Sequence, residues 1–224
     1  MRPPRQPAAI LWDLDGVLVL SAELHYTSWR HALAEAGVTM THEQFWETFG
    51  QRNEEILRRF LGPDAEPALL ARVADRKERA YRELAAERAA LAPGAEAWLQ
   101  EAARRGIRHA IASSTPRENV EVVLGRLGIR DRFAAVCAAE DVERGKPAPD
   151  IFLAAARALG CTPADCLVVE DAPAGVAAAK AADMRCLAVA SGHPPERLAE
   201  ADLVVASLAE RSPAAVLAAL YAEG

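Results

Sequence analysis

The chain has 224 residues, 51% of them hydrophobic and 26% charged, with a net charge of −6. That length fits one large domain, or a main domain with a smaller insert, and the apolar share can bury a sizeable core. The acidic balance, without a dominant Lys/Arg cluster, argues against nucleic acid or an anionic membrane as a partner, and no apolar run approaches the roughly 18 residues of a membrane span.

In chain order, Met1 to Pro7 has no apolar stretch behind its charges and reads as a loose tail rather than a signal peptide, which points to the cytoplasm. Residues 8–12 form a short apolar run, expected to be a buried strand that leads into a polar turn at Asp13 and Gly16. Residues 21–91 hold no convincing strand. Helices are expected over about 22–36, 43–49, 54–60 and 67–87, the second behind the capping box Thr41-x-x-Gln44. Helical periodicity returns over 95–105 and stops at Gly106. Short apolar runs then recur: 107–112 ending at Ser113-Ser114, 133–137 before Glu140-Asp141, 166–169 ending at Glu170-Asp171, 185–190 ending at Ser191-Gly192, and 203–205 before Ser207. Thr115-Pro116-Arg117-Glu118 has the form of a capping box with Pro at the first helical position, and Thr162-Pro163-Ala164-Asp165 of a short turn. The Ala-rich stretch 177–182 reads as helix. Strands alternating with helices predict an α/β fold, a parallel sheet covered on both faces with its active site beyond the carboxyl ends of the strands. The cysteines, Cys137, Cys161, Cys166 and Cys186, form no CxxC pair and read as buried free thiols of a reducing compartment.

Asp13, Ser113 and Glu170-Asp171 all fall at such strand ends. An ionised carboxylate can attack phosphorus, and a second one nearby can move the proton of the leaving oxygen and of the attacking water. The phosphate is itself anionic, so a cation is required. Mg²⁺ favours a few carboxylates together with phosphate oxygens and water, and Glu170-Asp171 can complete its ligands. Ser113 and the N–H groups of the next helix start can hold phosphate oxygens. Lys146 can offset charge on the nucleophile and the phosphoryl group. The remaining excess of negative charge predicts that one carboxyl stays protonated or is screened by backbone donors, with Asp15 the natural candidate.

Four segments, Asp13-x-Asp15-Gly16-Val17-Leu18, Ala112-Ser113-Ser114-Thr115-Pro116, Gly145-Lys146-Pro147-Ala148-Pro149-Asp150-Ile151-Phe152 and Val169-Glu170-Asp171-Ala172-Pro173-Ala174-Gly175, resemble in order the four motifs of the haloacid dehalogenase-like superfamily. The resemblance covers nearly the whole chain. It points to the subgroup with a helical cap after the first motif, home to phosphoglycolate phosphatase-like enzymes and β-phosphoglucomutase. It implies a Rossmann-like core over 8–20 and 91–224 and an all-α cap over 21–90. It implies nucleophile Asp13, acid/base Asp15, phosphate ligands Ser113 and Ser114, charge-neutralising Lys146, and Mg²⁺ held by Asp13, the Asp15 backbone carbonyl, Glu170 and Asp171, with Glu170 standing behind the others. One departure is Leu20, where the family commonly has Asp before Ser21 near the cap hinge.

Within the cap, His25 and Trp29 lie four apart on one helical face. They either pack against neighbouring helices or, as the resemblance implies, approach the substrate or hinge. Gly50-Gln51-Arg52-Asn53 either presents Arg52 and Asn53 to the far end of a substrate or is only a turn between helices. Lys77 points into the cleft or into solvent, and Arg117 touches phosphate or merely flanks a helix start. The expected activity is hydrolysis of a small phosphorylated metabolite by a monomer. A sugar-phosphate mutase is the alternative; Phe49 and Asn53 stand where the resemblance would place basic residues of that mutase, which favours the hydrolase. Dehalogenation needs neither Mg²⁺ nor a second Asp, so Asp15 and Glu170-Asp171 argue against it. A binding protein without catalysis would be expected to lack one of these groups.

Overall fold

Strand β1 (Ala9–Trp12) is buried at every position, which places it in the middle of a sheet. In the computed structural model, which describes residues 6–221, it pairs in parallel with β2 (Arg108–Ala112) on one side and β4 (Cys166–Glu170) on the other. With β3 (Ala135–Cys137), β5 (Arg185–Val189) and β6 (Leu203–Val205), the six strands run in the order β3-β2-β1-β4-β5-β6, all parallel.

Side chains alternate across the sheet and feed two cores. Ile10, Trp12, Ile111, Leu167, Val169 and Leu187 face helices α5 (Ala95–Arg104), α6 (Arg117–Leu127) and α9 (Pro213–Tyr221). Ala9, Leu11, Ala110, Cys166, Val168 and Cys186 face α7 (Asp150–Leu159) and α8 (Pro173–Ala181). Such double coverage is what the near-continuous apolar strands require, and the four cysteines are free.

Between β1 and α5 the chain builds α1 (Ala22–Glu35), α2 (His42–Thr48), α3 (Asn53–Leu61) and α4 (Pro67–Arg88). These four helices have a core of their own, in which Trp29, Leu33, Met40, Phe45, Ile56, Leu57, Leu70 and Val73 pack together. The Thr41–Gln44 capping box forms as expected. The two chain segments that lead into and out of these helices lie side by side: Val19 bridges Leu91 antiparallel, and Ala92 N–H donates to the Leu18 carbonyl at 2.8 Å. Leu20, beside this junction, is 55% exposed, an unusual setting for a leucine.

Two local expectations change. The run 133–137 pairs only from Ala135, because Arg130–Arg132 closes a 3₁₀ turn and Phe133 drops into the core beneath it. Thr115 does not cap α6; the helix starts at Arg117 behind Pro116, and the Thr115 hydroxyl is used elsewhere.

One core contact sets a stability prediction. Trp12 Nε1–H donates to His109 Nδ1 at 2.8 Å in the buried interior. Burial, with a smaller push from Arg132, lowers the His109 pKa to about 4. The unfolded chain therefore takes up a proton first, so this contribution is complete above about pH 6.5 and is lost as pH falls through 4. The expected loss is on the order of 3 kcal/mol. Urea unfolding at pH 7 and pH 4.5 checks it: wild type should weaken more over that interval than His109→Gln, which keeps an acceptor for Trp12 but cannot titrate.

Candidate active site

Each strand end delivers one part of the site. Asp13 follows β1, its N–H held by the Val169 carbonyl at 3.0 Å, so its position is an extension of the sheet. Ser113 follows β2 and is likewise held by the Cys137 carbonyl at 3.0 Å. Glu170 ends β4 and Asp171 follows it. Lys146 comes from the loop before α7 and reaches Asp13 Oδ1 at 2.6 Å, with a second bond to Glu170 Oε1. All are buried.

After Asp13 the chain reverses through Gly16, whose φ of +82° favours glycine. Its N–H donates to the Val19 carbonyl at 2.7 Å. A Cβ at Gly16 would stand 1.9 Å from Asp171 Oδ2, so the motif-one turn and the acid pair touch. Glu170 is pinned on every side. Its Oε2 accepts from the N–H groups of Asp171 (2.9 Å) and Ala172 (3.1 Å), its Oε1 accepts from Lys146, and Gly175 leaves room for it where a Cβ would come within 2.3 Å.

Asp13, Glu170 and Asp171 each offer an oxygen within 4.8 Å of one another. Three hard anionic donors at that spacing fit a divalent cation with oxygen preference. Burial, together with the neighbouring acids and opposed by Lys146, raises Asp13 to about 8, and burial with Glu170 and Asp13 raises Asp171 well above the usual carboxylate range. Burial also works against the Lys146 charge, but Asp13 and Glu170 hold its pKa above the usual lysine range.

Asp15 behaves differently, and this corrects the expectation that it keeps the spare proton. Burial pushes its pKa up, but His25, Ser21 and Thr115 outweigh it and hold the carboxyl below its usual range. Oδ1 meets His25 Nε2 at 3.1 Å, the Tyr81 hydroxyl at 3.2 Å and the Ser21 hydroxyl, while Oδ2 accepts from Thr115 Oγ1 at 2.6 Å. Side-chain donors stabilise the anion where backbone donors were expected. With its side chain so engaged, Asp15 adds no carboxylate to the acid triad.

Above these groups lies a cleft of about 390 Å³, lined on the core side by Asp13, Asp15, Ser113, Ser114, Lys146 and Asp171 and on the helical side by His25, Trp29, Gly50, Arg52, Asn53 and Lys77. His25 thus both lines the cleft and touches Asp15, stacked on Tyr81 with ring centroids 4.1 Å apart. Arg52 reaches across to the Glu143 carbonyl at 3.3 Å. Lys77 is buried against Glu78 at 2.9 Å. Arg117 is not brought to the cleft: its guanidinium bonds Asp141 and the Val136 carbonyl, and its N–H faces Glu140. An arginine at the first position of α6 points outward beside these acids, so it flanks the helix start.

Several contacts escape the sequence reading. Tyr81 follows Lys77 by one helical turn, so the pair spacing on α4 carried that signal. Ser21 and Thr115 looked like a hinge residue and a helix cap. Ser191 Oγ donates to Asp171 Oδ2 at 3.2 Å from beyond the end of β5; the run 185–190 marks that strand end, but nothing in the run gives the serine a role.

The chain is 35% identical over 204 residues to beta-phosphoglucomutase of Bacillus subtilis (strain 168), covering 88% of each. It is 32% identical to validoxylamine A 7'-phosphate phosphatase of Streptomyces hygroscopicus subsp. limoneus, covering 89% of this chain and 93% of that protein. The fold superposes on a mutant of CbbY from Rhodobacter sphaeroides, solved with xylulose-(1,5)bisphosphate, with a TM-score of 0.83 and 31% identity over 91% of this chain and 96% of that one. The family model of haloacid dehalogenase-like hydrolase matches residues 7–183. With three motifs at strand ends and the Lys146 motif reaching in from the loop before α7, all beneath a helical insert, this chain belongs to the haloacid dehalogenase-like hydrolases.

Proposed function

We propose that the protein is a Mg²⁺-dependent phosphatase that hydrolyses a small phosphorylated metabolite through an aspartyl-phosphate on Asp13. The observation that carries this reading is the juxtaposition of Asp13 with Lys146 at 2.6 Å and with the acid pair Glu170-Asp171. Asp13 and Asp171, with the Asp15 carbonyl, would hold the metal, and Glu170 would brace them, since its oxygens are already filled. Bound there, Mg²⁺ supplies Lewis-acid charge for the phosphoryl oxygens. Residues 21–90 would act as the cap that closes the cleft over the core.

The substrate phosphate lies against Ser113 and the N–H groups of the loop that follows β2, with Lys146 balancing its charge. An Asp13 oxygen attacks phosphorus in line with the ester oxygen, the ester bond breaks, and Asp15, which must first take up a proton from solvent, gives that proton to the leaving oxygen. Water then attacks the aspartyl-phosphate, Asp15 takes its proton, and phosphate leaves. Asp15 must loosen its bonds to Ser21, Thr115, Tyr81 or His25 to reach the ester oxygen. These partners favour its anion, the form needed for the water step.

Release of phosphate from p-nitrophenyl phosphate tests this. It should require Mg²⁺, and turnover that persists in EDTA sinks the reading. Metal ligation needs ionised carboxylates, and those of Asp13 and Asp171 are reluctant to ionise in the metal-free protein. Mg²⁺ should therefore raise the melting temperature more at pH 8 than at pH 6, with protons released on binding. The identity to beta-phosphoglucomutase supports a second reading, a sugar-phosphate mutase. β-Glucose 1-phosphate with a trace of the 1,6-bisphosphate separates the two: efficient formation of glucose 6-phosphate without phosphate release would favour the mutase.

A further inference from the structure

The far half of the cleft carries its own charge arrangement, set by Glu78. This residue lines the cleft beside Lys77 and Asn53, with Trp29, Phe49 and Ile56 as apolar wall. Its Oε1 accepts from Lys77 Nζ at 2.9 Å and from Asn53 Nδ2 at 2.6 Å, and its Oε2 accepts from Asn119 Nδ2 of α6. Asn119 in turn accepts from Arg82 at 3.1 Å. One carboxylate thus ties α3 and α4 to the core through three donors and keeps acceptor capacity for one more, since an ionised carboxylate offers about four sites.

Lys77 is the only lysine of the four inserted helices, and its charge is matched at contact distance. It is also enclosed by the Trp29 and Tyr81 rings, each 5.3 Å from the ammonium. Burial works against the Glu78 charge, but Lys77 and the two amides hold it ionised. Among the cleft-lining residues of these helices, the remaining permanent cation is Arg52. It sits at the mouth, bonded to the Glu143 carbonyl and lying along Gly145, where a Cβ would come 2.6 Å from its Nε. A second phosphate in this half would meet apolar rings and a carboxylate already paired with Lys77, while Arg52, whose charge no acid among the described residues matches, is turned to the Glu143 carbonyl at the mouth. Burying such an anion unpaired is costly. Hydroxyl groups find the opposite: amide and carboxylate partners, and ring faces for the apolar side of a sugar.

We infer that Glu78 makes the far half of the cleft selective for a monophosphate whose distal end carries hydroxyls and no second anionic group. This rests on the phosphatase reading only for the placement of the reacting phosphate beside Asp13. It also separates this chain from the relative that was solved with a bisphosphate bound.

Binding without turnover tests it. Asp13→Asn protein in Mg²⁺ is titrated by calorimetry with fructose 6-phosphate and fructose 1,6-bisphosphate, which differ only in the second phosphate. The monophosphate should bind at least about tenfold more tightly, a difference that one unbalanced charge readily produces. In the same background Glu78→Gln should shrink that ratio several-fold by strengthening the bisphosphate. Should Glu78→Gln fail to fold, Phe49→Arg, at a half-buried wall position, should shift the ratio the same way. Tighter bisphosphate binding in the Asp13→Asn protein, no binding of either sugar, or a ratio that neither variant moves overturns the inference. Wild-type p-nitrophenyl phosphate hydrolysis is scored separately, so a selective cleft without phosphatase activity is told apart from an unselective phosphatase.

Discussion

Asp13→Asn should lower kcat for phosphate release by at least about 10⁴-fold, as expected when the attacking atom itself is lost. The same change should make the metal-free protein less sensitive to rising pH. Burial raises Asp13 to about 8, with Glu170 and Asp15 adding to it and Lys146 opposing. A carboxyl whose folded pKa lies above its unfolded value takes up its proton preferentially in the folded state. Its stabilising contribution is therefore full below about pH 4 and is lost as pH rises through 8. Asparagine keeps the shape without that ionisation. Melting curves in EDTA at pH 5 and pH 8 should show a steeper fall for wild type than for the variant. Activity lost together with stability gained is the pattern of a strained functional group. Residual turnover near wild type would remove Asp13 from the nucleophile's role.

Gly16→Ala should cost both stability and metal response, although Gly16 carries no reacting atom. A left-handed backbone disfavours any Cβ by roughly 1–2 kcal/mol. Here φ is +82°, and the new methyl would sit 1.9 Å from Asp171 Oδ2. Asp171 is buried and already held by Ser191, so the atom that must give way is the proposed metal ligand itself. Overpacking of this kind adds roughly 1–3 kcal/mol. Activity should fall by at least about 10²-fold, because a small misplacement of a catalytic group has that cost. The diagnostic measurement is the Mg²⁺-induced rise in melting temperature, which should shrink sharply. A variant that melts lower yet keeps the full Mg²⁺ response would show that Gly16 serves the turn alone.

How legible the site was depends on where each residue's partners lie along the chain. Asp13, Ser113 and Glu170-Asp171 were readable because each closes a short apolar run. In a parallel sheet those ends converge by construction, whatever the loops do. Lys146 was readable through its motif. The partners of Asp15 were obscured by local chemistry: Ser and Thr near helix starts are cappers by default, and Thr115 looked like one. Tertiary approach of α6 and the motif-one turn overrode that preference. Charge balance alone pointed to an Asp15 either protonated or screened by backbone donors, because counting charges says nothing about four side-chain donors converging from positions 21, 25, 81 and 115.

The inserted helices divide in the same way. Their apolar periodicity and the Thr41–Gln44 box place all four within a few residues, since both are local properties of the chain. Which of their polar side chains face the cleft is a matter of how α3 and α4 sit against α6, and that packing joins Glu78 to Asn53 and Asn119 over separations of 25 and 41 residues. The amino-acid sequence by itself determined the alternating α/β sheet, the helices after β1 and the placement of Asp13, Ser113 and Glu170-Asp171 at strand ends, because strand burial and helix periodicity are written into neighbouring residues. Only the tertiary structure decided the donors around Asp15, the outward turn of Arg117 and the joining of Glu78 to Asn53 and Asn119, because each depends on groups that meet only when distant segments pack.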